Sequence, residues 1–133
     1  MNVVVDTSVW SLALRRSTLV SSGHVEVLKD VISDGRAILL GVVRQEILSG
    51  IRHYEQLHHL RKHLRAFPDP AFEAEDYETA AAHANTCRTK GIQGSLIDFL
   101  ICAYAGRRSY QILSTDSDFL HYSRHIPVSL MTP

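Results

Sequence analysis

Four acidic side chains occupy positions that suggest a role in chemistry. Asp6 directly follows three consecutive valines, and Asp116 follows shortly after the apolar pair Ile112-Leu113, so each acid is placed at the carboxyl end of a predicted strand. Asp98 is the only charged residue in the apolar helical segment 96–105. An unpaired buried carboxylate must find a partner or take up a proton. Ligands of α/β sheets bind at the carboxyl ends of the strands, which makes these acids candidates for one site.

Glu46 is the fourth candidate and belongs to the helix predicted over residues 42–49. At 100° per residue it projects between Val42 and Val43, inside the apolar arc of that helix. A glutamate that simply faced solvent would be expected on the opposite side, so its position suggests that it faces inward with the other acids.

Each acid also has a purely structural explanation. Asp6 and Asp116 could cap helices or close turns, and Asp98 could form a capping box with Ser95. Glu46 could form a salt bridge with an arginine. These alternatives stay open for each residue taken singly, whereas the recurrence of acids at strand ends favours a shared site.

Acids from separated segments that meet at one rim repel one another. Two carboxylates ~5 Å apart repel by roughly 3 kcal/mol at an effective dielectric constant of about 20, so such a cluster needs a cation or protons. Oxygen ligands favour Mg²⁺ or Mn²⁺. Zn²⁺ prefers histidine or cysteine, and neither occurs within three residues of Asp6, Glu46 or Asp116. The chemistry that uses such a site is phosphoryl transfer or phosphodiester hydrolysis.

The elements that must position these acids alternate between short apolar runs and longer helical stretches. Strands are predicted over residues 2–5, 37–40, 110–114 and 128–130, and helices over 7–14, 24–33, 42–49, 52–65, 73–89, 95–106 and 118–122. This order predicts an α/β fold with a mostly parallel sheet and helices on both of its faces.

Length and composition are those of an ordinary globular domain. The chain has 133 residues, of which 45% are hydrophobic and 21% charged, so we expect one domain over residues 1–133. The apolar runs are too short to cross a membrane, and the N-terminus lacks the basic start and apolar core of a secretion signal. Cys87 and Cys102 fall in helical segments, which favours reduced thiols and a cytoplasmic location.

The charge balance limits how a nucleic acid could be held. Lysine plus arginine equals aspartate plus glutamate, at 14 each, so a nucleic-acid partner would need a local basic patch or a metal rather than bulk charge. Cations on the helix 52–65 and two pairs of neighbouring arginines could contact phosphates, or could be solvated surface groups. The candidates are Arg15, Arg16, Arg61, Lys62, Arg65, Arg107 and Arg108.

The motifs resemble those of a known family. They are the segment Val4-Val5-Asp6-Thr7-Ser8-Val9-Trp10, a mid-chain Glu46, Asp98 within Leu-Ile-Asp-Phe, and Ser114-Thr115-Asp116-Ser117-Asp118-Phe119. Together they resemble the PIN-domain ribonucleases, and most closely the VapC toxins of bacterial and archaeal toxin–antitoxin pairs, over nearly the whole chain. The resemblance implies a three-layer α/β/α sandwich with a four- to five-stranded sheet. It also implies a Mg²⁺- or Mn²⁺-dependent endoribonuclease that hydrolyses RNA with a metal-activated water.

The resemblance further implies site residues and partners. The catalytic and metal-binding acids would be Asp6, Glu46, Asp98 and Asp116. Asp118 would be a peripheral fifth acid, while Thr115 and Ser8 could orient water or phosphate. The implied partners are a cognate VapB-like antitoxin that blocks the site, an RNA substrate, and a second copy of the chain in a homodimer, with no membrane involved.

Two other functions fit part of the pattern. A haloacid-dehalogenase-like phosphatase also begins with a strand followed by an acid such as Asp6, but its chemistry needs a second aspartate two positions later, where this chain has Ser8. A non-catalytic partner-binding module of the same fold could use the apolar stripe of Leu57, Leu60 and Leu64 as an interface. The complete set of acids argues against the second hypothesis.

Overall fold

A computed structural model describes residues 1–14 and 22–133 of the chain. Arg15 and Arg16, two of the predicted phosphate contacts, lie outside the described residues. The elements in chain order are β1 (Val3–Val5), α1 (Thr7–Leu14), α2 (Gly23–Ser33), β2 (Ala37–Ile38), α3 (Gly41–Ser49), α4 (Tyr54–Leu64), α5 (Ala74–Thr89), α6 (Leu96–Arg107), β3 (Gln111–Leu113), α7 (Asp118–Ser123) and β4 (Ser129–Leu130).

The four strands form one parallel sheet in the order β2-β1-β3-β4. The chain leaves β1 toward one edge and later returns past it to β3 and β4. Right-handed crossovers in opposite directions place helices on both faces of the sheet, so the predicted α/β architecture with a parallel sheet is confirmed. The direction reverses between β1 and β3, and a crevice opens outside the carboxyl ends of the strands at such a point.

The core explains why the strand and helix patterns of the sequence look so apolar. The three valines of β1 are fully buried between neighbouring strands and covered on both faces, which removes the alternation expected of a half-exposed strand. Helix α6 is buried continuously from Phe99 to Ala105 and contacts β1, β3 and α5. Its first turn carries Asp98 to the edge of this core.

Trp10 fixes the start of α1 against β1. Its side chain is buried, its indole Nε1 donates a hydrogen bond to the Val5 carbonyl at 3.1 Å, and its ring meets Phe67 edge-to-face at 5.0 Å. Because the residues between Val5 and Trp10 include Asp6, this contact holds the connection that carries Asp6.

Two element boundaries differ from the sequence-based prediction by two residues, while the others differ by at most one. Strand β2 ends at Ile38 rather than at Leu40, because the Leu40 carbonyl already accepts the amides of Val43 and Arg44 at the start of α3. Helix α4 begins at Tyr54 rather than at residue 52. The apolar side chains that suggested a longer β2 are nevertheless buried in the core.

Helices α5 and α6 are joined by a buried acid that the sequence did not single out. Asp76 is 0% exposed and accepts hydrogen bonds from Arg107 at 2.6 Å and from Arg108 at 2.8 and 3.0 Å. Arg108 also lies over the Tyr104 ring at 3.7 Å. These two arginines, which the sequence suggested as phosphate contacts, are therefore occupied within the fold.

Within the described part of the chain, every helix is too short or too polar to span a membrane.

Candidate functional site

Asp6 lies at the carboxyl end of β1, as its position after the valines predicts. Its amide donates to the Leu113 carbonyl of β3 at 2.9 Å, so the pairing of the two strands continues to the rim. The side chain is only 5% exposed, and its Oδ2 accepts hydrogen bonds from the hydroxyls of Ser8 and Ser114, both at 2.8 Å. The capping alternative also holds, because Asp6 precedes α1: its carbonyl accepts the Val9 amide at 3.1 Å and its Oδ2 accepts the Ser8 amide at 3.4 Å.

The two serines tie the loop after β3 to the start of α1. Ser8 Oγ accepts the Thr115 amide at 3.0 Å and lies 3.3 Å from Ser114 Oγ. Ser114 Oγ in turn accepts the Asp116 amide at 3.0 Å. These bonds fix the directions in which the loop presents its acids. The Ser8 hydroxyl donates its hydrogen to Asp6, so in this structure Ser8 holds other residues of the chain in place.

Asp98 enters the rim from α6. Ser95 caps this helix by accepting the Asp98 amide at 3.0 Å, which supports one half of the capping-box alternative. The carboxylate itself accepts the Tyr122 hydroxyl on Oδ2 at 2.7 Å. The prediction that this acid needs a partner is confirmed, and the partner is a tyrosine of α7.

Burial and neighbouring charge act on Asp98 together. Partial burial raises the pKa of the Asp98 carboxyl above its usual value, hydrogen bonds from Tyr122 and Ser95 counteract part of this, and the negative charges of Asp6 and Asp116 raise the pKa further. Burial and the hydrogen bond to Asp98 also raise the pKa of the Tyr122 phenol, so it remains a protonated donor at neutral pH.

Asp116 and Asp118 complete a cluster with Asp98. One carboxylate oxygen of each lies within 4.8 Å of those of the other two, and both loop acids are exposed. Asp116 Oδ1 also accepts the Asp118 amide at 2.9 Å, so it has the turn-closing role of its structural alternative as well. The resemblance placed Asp118 at the periphery, whereas here it stands beside Asp98 and Asp116.

Glu46 departs most from its expectation. Its side chain is exposed rather than directed into the apolar side of α3, where Val43 and Ile47 are the buried residues. It accepts the Thr7 hydroxyl on Oε1 at 2.7 Å, and Thr7 is the chain neighbour of Asp6. Within residues 1–14 and 22–133 no ion pair involves Glu46, which leaves the salt-bridge alternative without support there.

Two residues of this network were not among the candidates. Ser114 follows Leu113, the partner of Val5 in the register of β1 and β3, just as Asp6 follows Val5, but the sequence does not reveal this register. Tyr122 stands four residues after Asp118, one turn along the same face of α7. Nothing in the sequence, however, indicates that this face turns toward α6.

The donor set suits a hard divalent cation. Among the described residues, the group of three His, Cys, Asp or Glu side chains close enough to share an ion consists of carboxylates alone. Mg²⁺ and Mn²⁺ prefer such oxygen ligands, and ligands on opposite sides of Mg²⁺ are ~4.2 Å apart when each bond is ~2.1 Å long. Asp98, Asp116 and Asp118, whose carboxylate oxygens lie within 4.8 Å of one another, are therefore near enough to share one such ion.

Three of the positively charged candidates for contacts with phosphate lie at the end of α4. Arg61, Lys62 and Arg65 are exposed at the C-terminal end of α4, and Arg61 Nη2 lies 3.2 Å from His58 Nδ1. They remain available for contacts with phosphates.

Thr115 is exposed on the loop beside Asp116, where its hydroxyl can face a ligand while its amide is held by Ser8.

Comparison with known proteins identifies the family. The sequence profile of the PIN domain matches residues 3–125, which is most of the chain. The chain therefore belongs to the PIN-domain family, whose members are generally nucleases and typically use divalent metals. No curated protein matches the chain by sequence.

Solved structures share its fold at low sequence identity. FitAcB from Neisseria gonorrhoeae matches with a TM-score of 0.77 and 19% identity over 98% of this chain and 97% of that one. VapBC2 from Rickettsia felis, bound to a promoter DNA fragment, gives 0.78 and 15% over 98% of both chains. DNA-bound VapBC from Salmonella typhimurium gives 0.79 and 12% over 98% and 97%. At these identities the likeness establishes the fold.

Proposed function

We propose that this chain is the toxin of a toxin–antitoxin pair and acts as a Mg²⁺- or Mn²⁺-dependent endoribonuclease. The observation that carries the proposal is the cluster of Asp98, Asp116 and Asp118, whose carboxylate oxygens lie within 4.8 Å of one another, with Asp6 held nearby by its hydrogen bond from Ser114. Membership of the PIN family supports the nuclease activity. The similar structures named FitAcB and VapBC support the assignment to a toxin–antitoxin system.

In this proposal the acids of the rim bind the ion, and the ion acts on the water and the phosphate. Asp98, Asp116 and Asp118 are the proposed ligands, together with Asp6, whose negative charge acts on Asp98, and Glu46 completes the acidic rim. When bound, Mg²⁺ or Mn²⁺ lowers the pKa of a coordinated water and neutralises charge on the phosphate. The chain's own contribution is to hold these carboxylates ready before the substrate arrives, which avoids reorganisation during the reaction.

Each part of the rim has a defined task in this proposal. With Oδ2 of Asp6 held by the two serine hydroxyls, its second oxygen, Oδ1, is assigned to the ion. The loop bonds from Ser8 and Ser114 hold Asp116 in place, and exposed Thr115 is assigned to a phosphate oxygen or water. Glu46, linked to Asp6 through Thr7, is assigned to a second ion or to the approaching water. Hydrolysis would leave 5′-phosphate and 3′-hydroxyl ends.

The proposed partners are an RNA substrate, a cognate antitoxin and a second copy of the chain. An apolar groove of about 510 Å³ lies between α1, α3 and α4. It supports the proposal that the chain binds a protein partner. Ile47, Ile51 and Leu60 line it, with His59 and His63 at its edge. Of the leucines considered as an interface, Leu64 is instead buried in the core.

The phosphatase alternative finds less support. It requires an aspartate in place of Ser8 as a proton donor, and the Ser8 hydroxyl is engaged with Asp6 at 2.8 Å. We therefore do not assign phosphomonoester hydrolysis to this site.

Metal-dependent cleavage of total RNA tests the proposed function. Purified protein is expected to cut RNA with Mg²⁺ or Mn²⁺ and to stop when EDTA is in excess, and mapping of the products is expected to find 5′-phosphate and 3′-hydroxyl ends. Cyclic phosphate ends would contradict hydrolysis by water, because they require attack by the 2′-hydroxyl. Equal cleavage by the purified protein in excess EDTA would contradict the proposed metal dependence.

Mn²⁺ is also expected to raise the melting temperature, and more so at pH 7 than at pH 5. An ion at about 100 times its dissociation constant stabilises the folded state by about 2.7 kcal/mol, which corresponds to roughly 8 °C in a domain of this size. The raised pKa of Asp98 means that its proton competes with the ion as the pH falls. Differential scanning fluorimetry with and without Mn²⁺ at both pH values measures this, and an equal shift at both would argue against Asp98 as a ligand.

A further inference from the structure

Tyr122 makes a contact that ordinary core packing does not require. It is 1% exposed, and its ring packs against Phe99 at 5.0 Å and Phe119 at 5.4 Å. Its hydroxyl nevertheless emerges at the rim, where it donates to Asp98 Oδ2 at 2.7 Å. A buried, rigidly packed ring thus holds one oxygen of an acid that stands within 4.8 Å of two others.

Gly94 provides the space for this contact. A Cβ at residue 94 would lie 2.6 Å from the Tyr122 hydroxyl oxygen and 2.7 Å from Phe99 Cζ, closer than atoms can approach. The φ angle of Gly94 lies outside the left-handed region, in which only Gly35 and Gly91 among the described glycines are found. The requirement at residue 94 is therefore for space and not for an unusual backbone conformation.

We propose that Tyr122, seated against Gly94, is a positioning residue that orients the Asp98 carboxylate for a divalent cation. This inference rests on the proposed function. Tyr122 does not itself touch the ion: with Oδ2 held by the phenol, the rotation of the Asp98 carboxylate is restricted and its remaining oxygen has a defined direction. Groups that orient metal ligands in this way typically affect metal affinity by about 10- to 100-fold.

Tyr122→Phe removes the hydroxyl and keeps the ring. The expected result is an increase of about 10-fold in the Mn²⁺ dissociation constant, measured by the electron paramagnetic resonance signal of free Mn²⁺ during titration. Tyr110→Phe is the control, because it likewise removes only a tyrosine hydroxyl, here from a half-buried ring whose centroid lies 6.5 Å from that of Tyr104. Its affinity is expected to equal that of the parent.

Gly94→Ala tests the same contact while keeping the hydroxyl. The added methyl group is expected to push Tyr122 away from Asp98 and to weaken Mn²⁺ binding to a similar degree. Gly50→Ala is its control, since Gly50 has open space around it and a helical φ of −88°. If both changes act through one hydrogen bond, their effects do not add. The variant that carries both Tyr122→Phe and Gly94→Ala is then expected to bind Mn²⁺ no more weakly than the single variant with the lower affinity.

The outcomes separate this inference from the function on which it rests. If the parent binds no Mn²⁺, the proposed function fails and the inference with it. If the parent binds Mn²⁺ and Tyr122→Phe and Gly94→Ala bind it equally well, the positioning role is overturned while the metal site stands. A merely structural tyrosine would lower the melting temperature of metal-free protein without changing the dissociation constant at a temperature where all variants are folded. Should one variant not fold, the other decides.

Discussion

Asp6→Asn and Asp98→Asn are each expected to slow RNA cleavage by at least about 100-fold. Asparagine preserves the size of the side chain but removes the negative charge that would hold the ion. Stabilisation of a reacting phosphate by a bound metal supplies several kcal/mol, and each 1.4 kcal/mol corresponds to about a factor of ten in rate. Single-turnover cleavage of a defined RNA at fixed Mn²⁺ measures the loss.

Asp30→Asn provides the matched control for these variants. Asp30 is an exposed aspartate on α2 that takes no part in the rim, so this variant is expected to cut at the parental rate. Circular dichroism establishes that all three variants are folded. Should Asp6→Asn and Asp98→Asn cleave as fast as Asp30→Asn, the assignment of the site would be wrong.

Asp76→Asn is expected to lower the free energy of unfolding by about 3 kcal/mol, a typical loss when one partner of a buried ion pair is removed. Asp76 is completely buried and binds both Arg107 and Arg108 as well as the Glu73 amide, at 2.8 Å. An amide in its place donates hydrogens toward guanidinium groups that also donate, and it leaves two neighbouring cations without their counter-charge. Urea unfolding at pH 7 measures the loss.

The effect of this substitution depends on pH in a defined direction. Hydrogen bonds from Arg108, with those from Glu73 and Arg107, hold the pKa of Asp76 far below its ordinary value of 3.8 against the opposing effect of burial. A carboxyl with a lowered pKa in the folded state stabilises the fold above its ordinary pKa, and this contribution declines as the pH falls further. The difference between parent and Asp76→Asn is therefore expected to shrink below about pH 4.

An exposed ion pair gives the comparison for Asp76. Asp34 pairs with Arg36 at 3.2 Å, but its side chain is 57% exposed, so Asp34→Asn is expected to change stability by less than about 1 kcal/mol. If Asp76→Asn destabilised the protein no more than Asp34→Asn does, the buried cluster would not hold α5 to α6 as we infer.

The positions of some candidate residues could be predicted from the sequence, namely those that a single element determines. Asp6 and Asp116 follow apolar strands, and parallel strands bring their carboxyl ends to one rim whatever the details of packing. The apolar surroundings of Asp98 likewise indicated that it needs a partner. The prediction that Glu46 faces inward was wrong. The helical pattern gives only the direction of its side chain around the axis of α3, whereas its exposure depends on which neighbouring elements cover that side of the helix.

Contacts between distant segments account for what could not be predicted. Asp76 looked like an ordinary acid in the first turn of a helix, and Arg108 like a surface cation, until the packing of α5 on α6 brought them together across 32 positions. Asp118 was expected at the periphery from the resemblance to the family, whereas the turn after β3 brings it beside Asp98 and Asp116. In each case the sequence shows the type of residue, but it does not show which distant residue contacts it.

The sequence by itself determined the order of strands and helices, the parallel sheet and the acids delivered to its rim, since hydrophobic periodicity and strand ends are local properties of the chain. Only the tertiary structure decided which hydroxyls hold those acids. Ser114 reaches Asp6 across 108 positions and Tyr122 reaches Asp98 across 24. Such bonds depend on strand register and helix orientation, which the packing of the whole core sets.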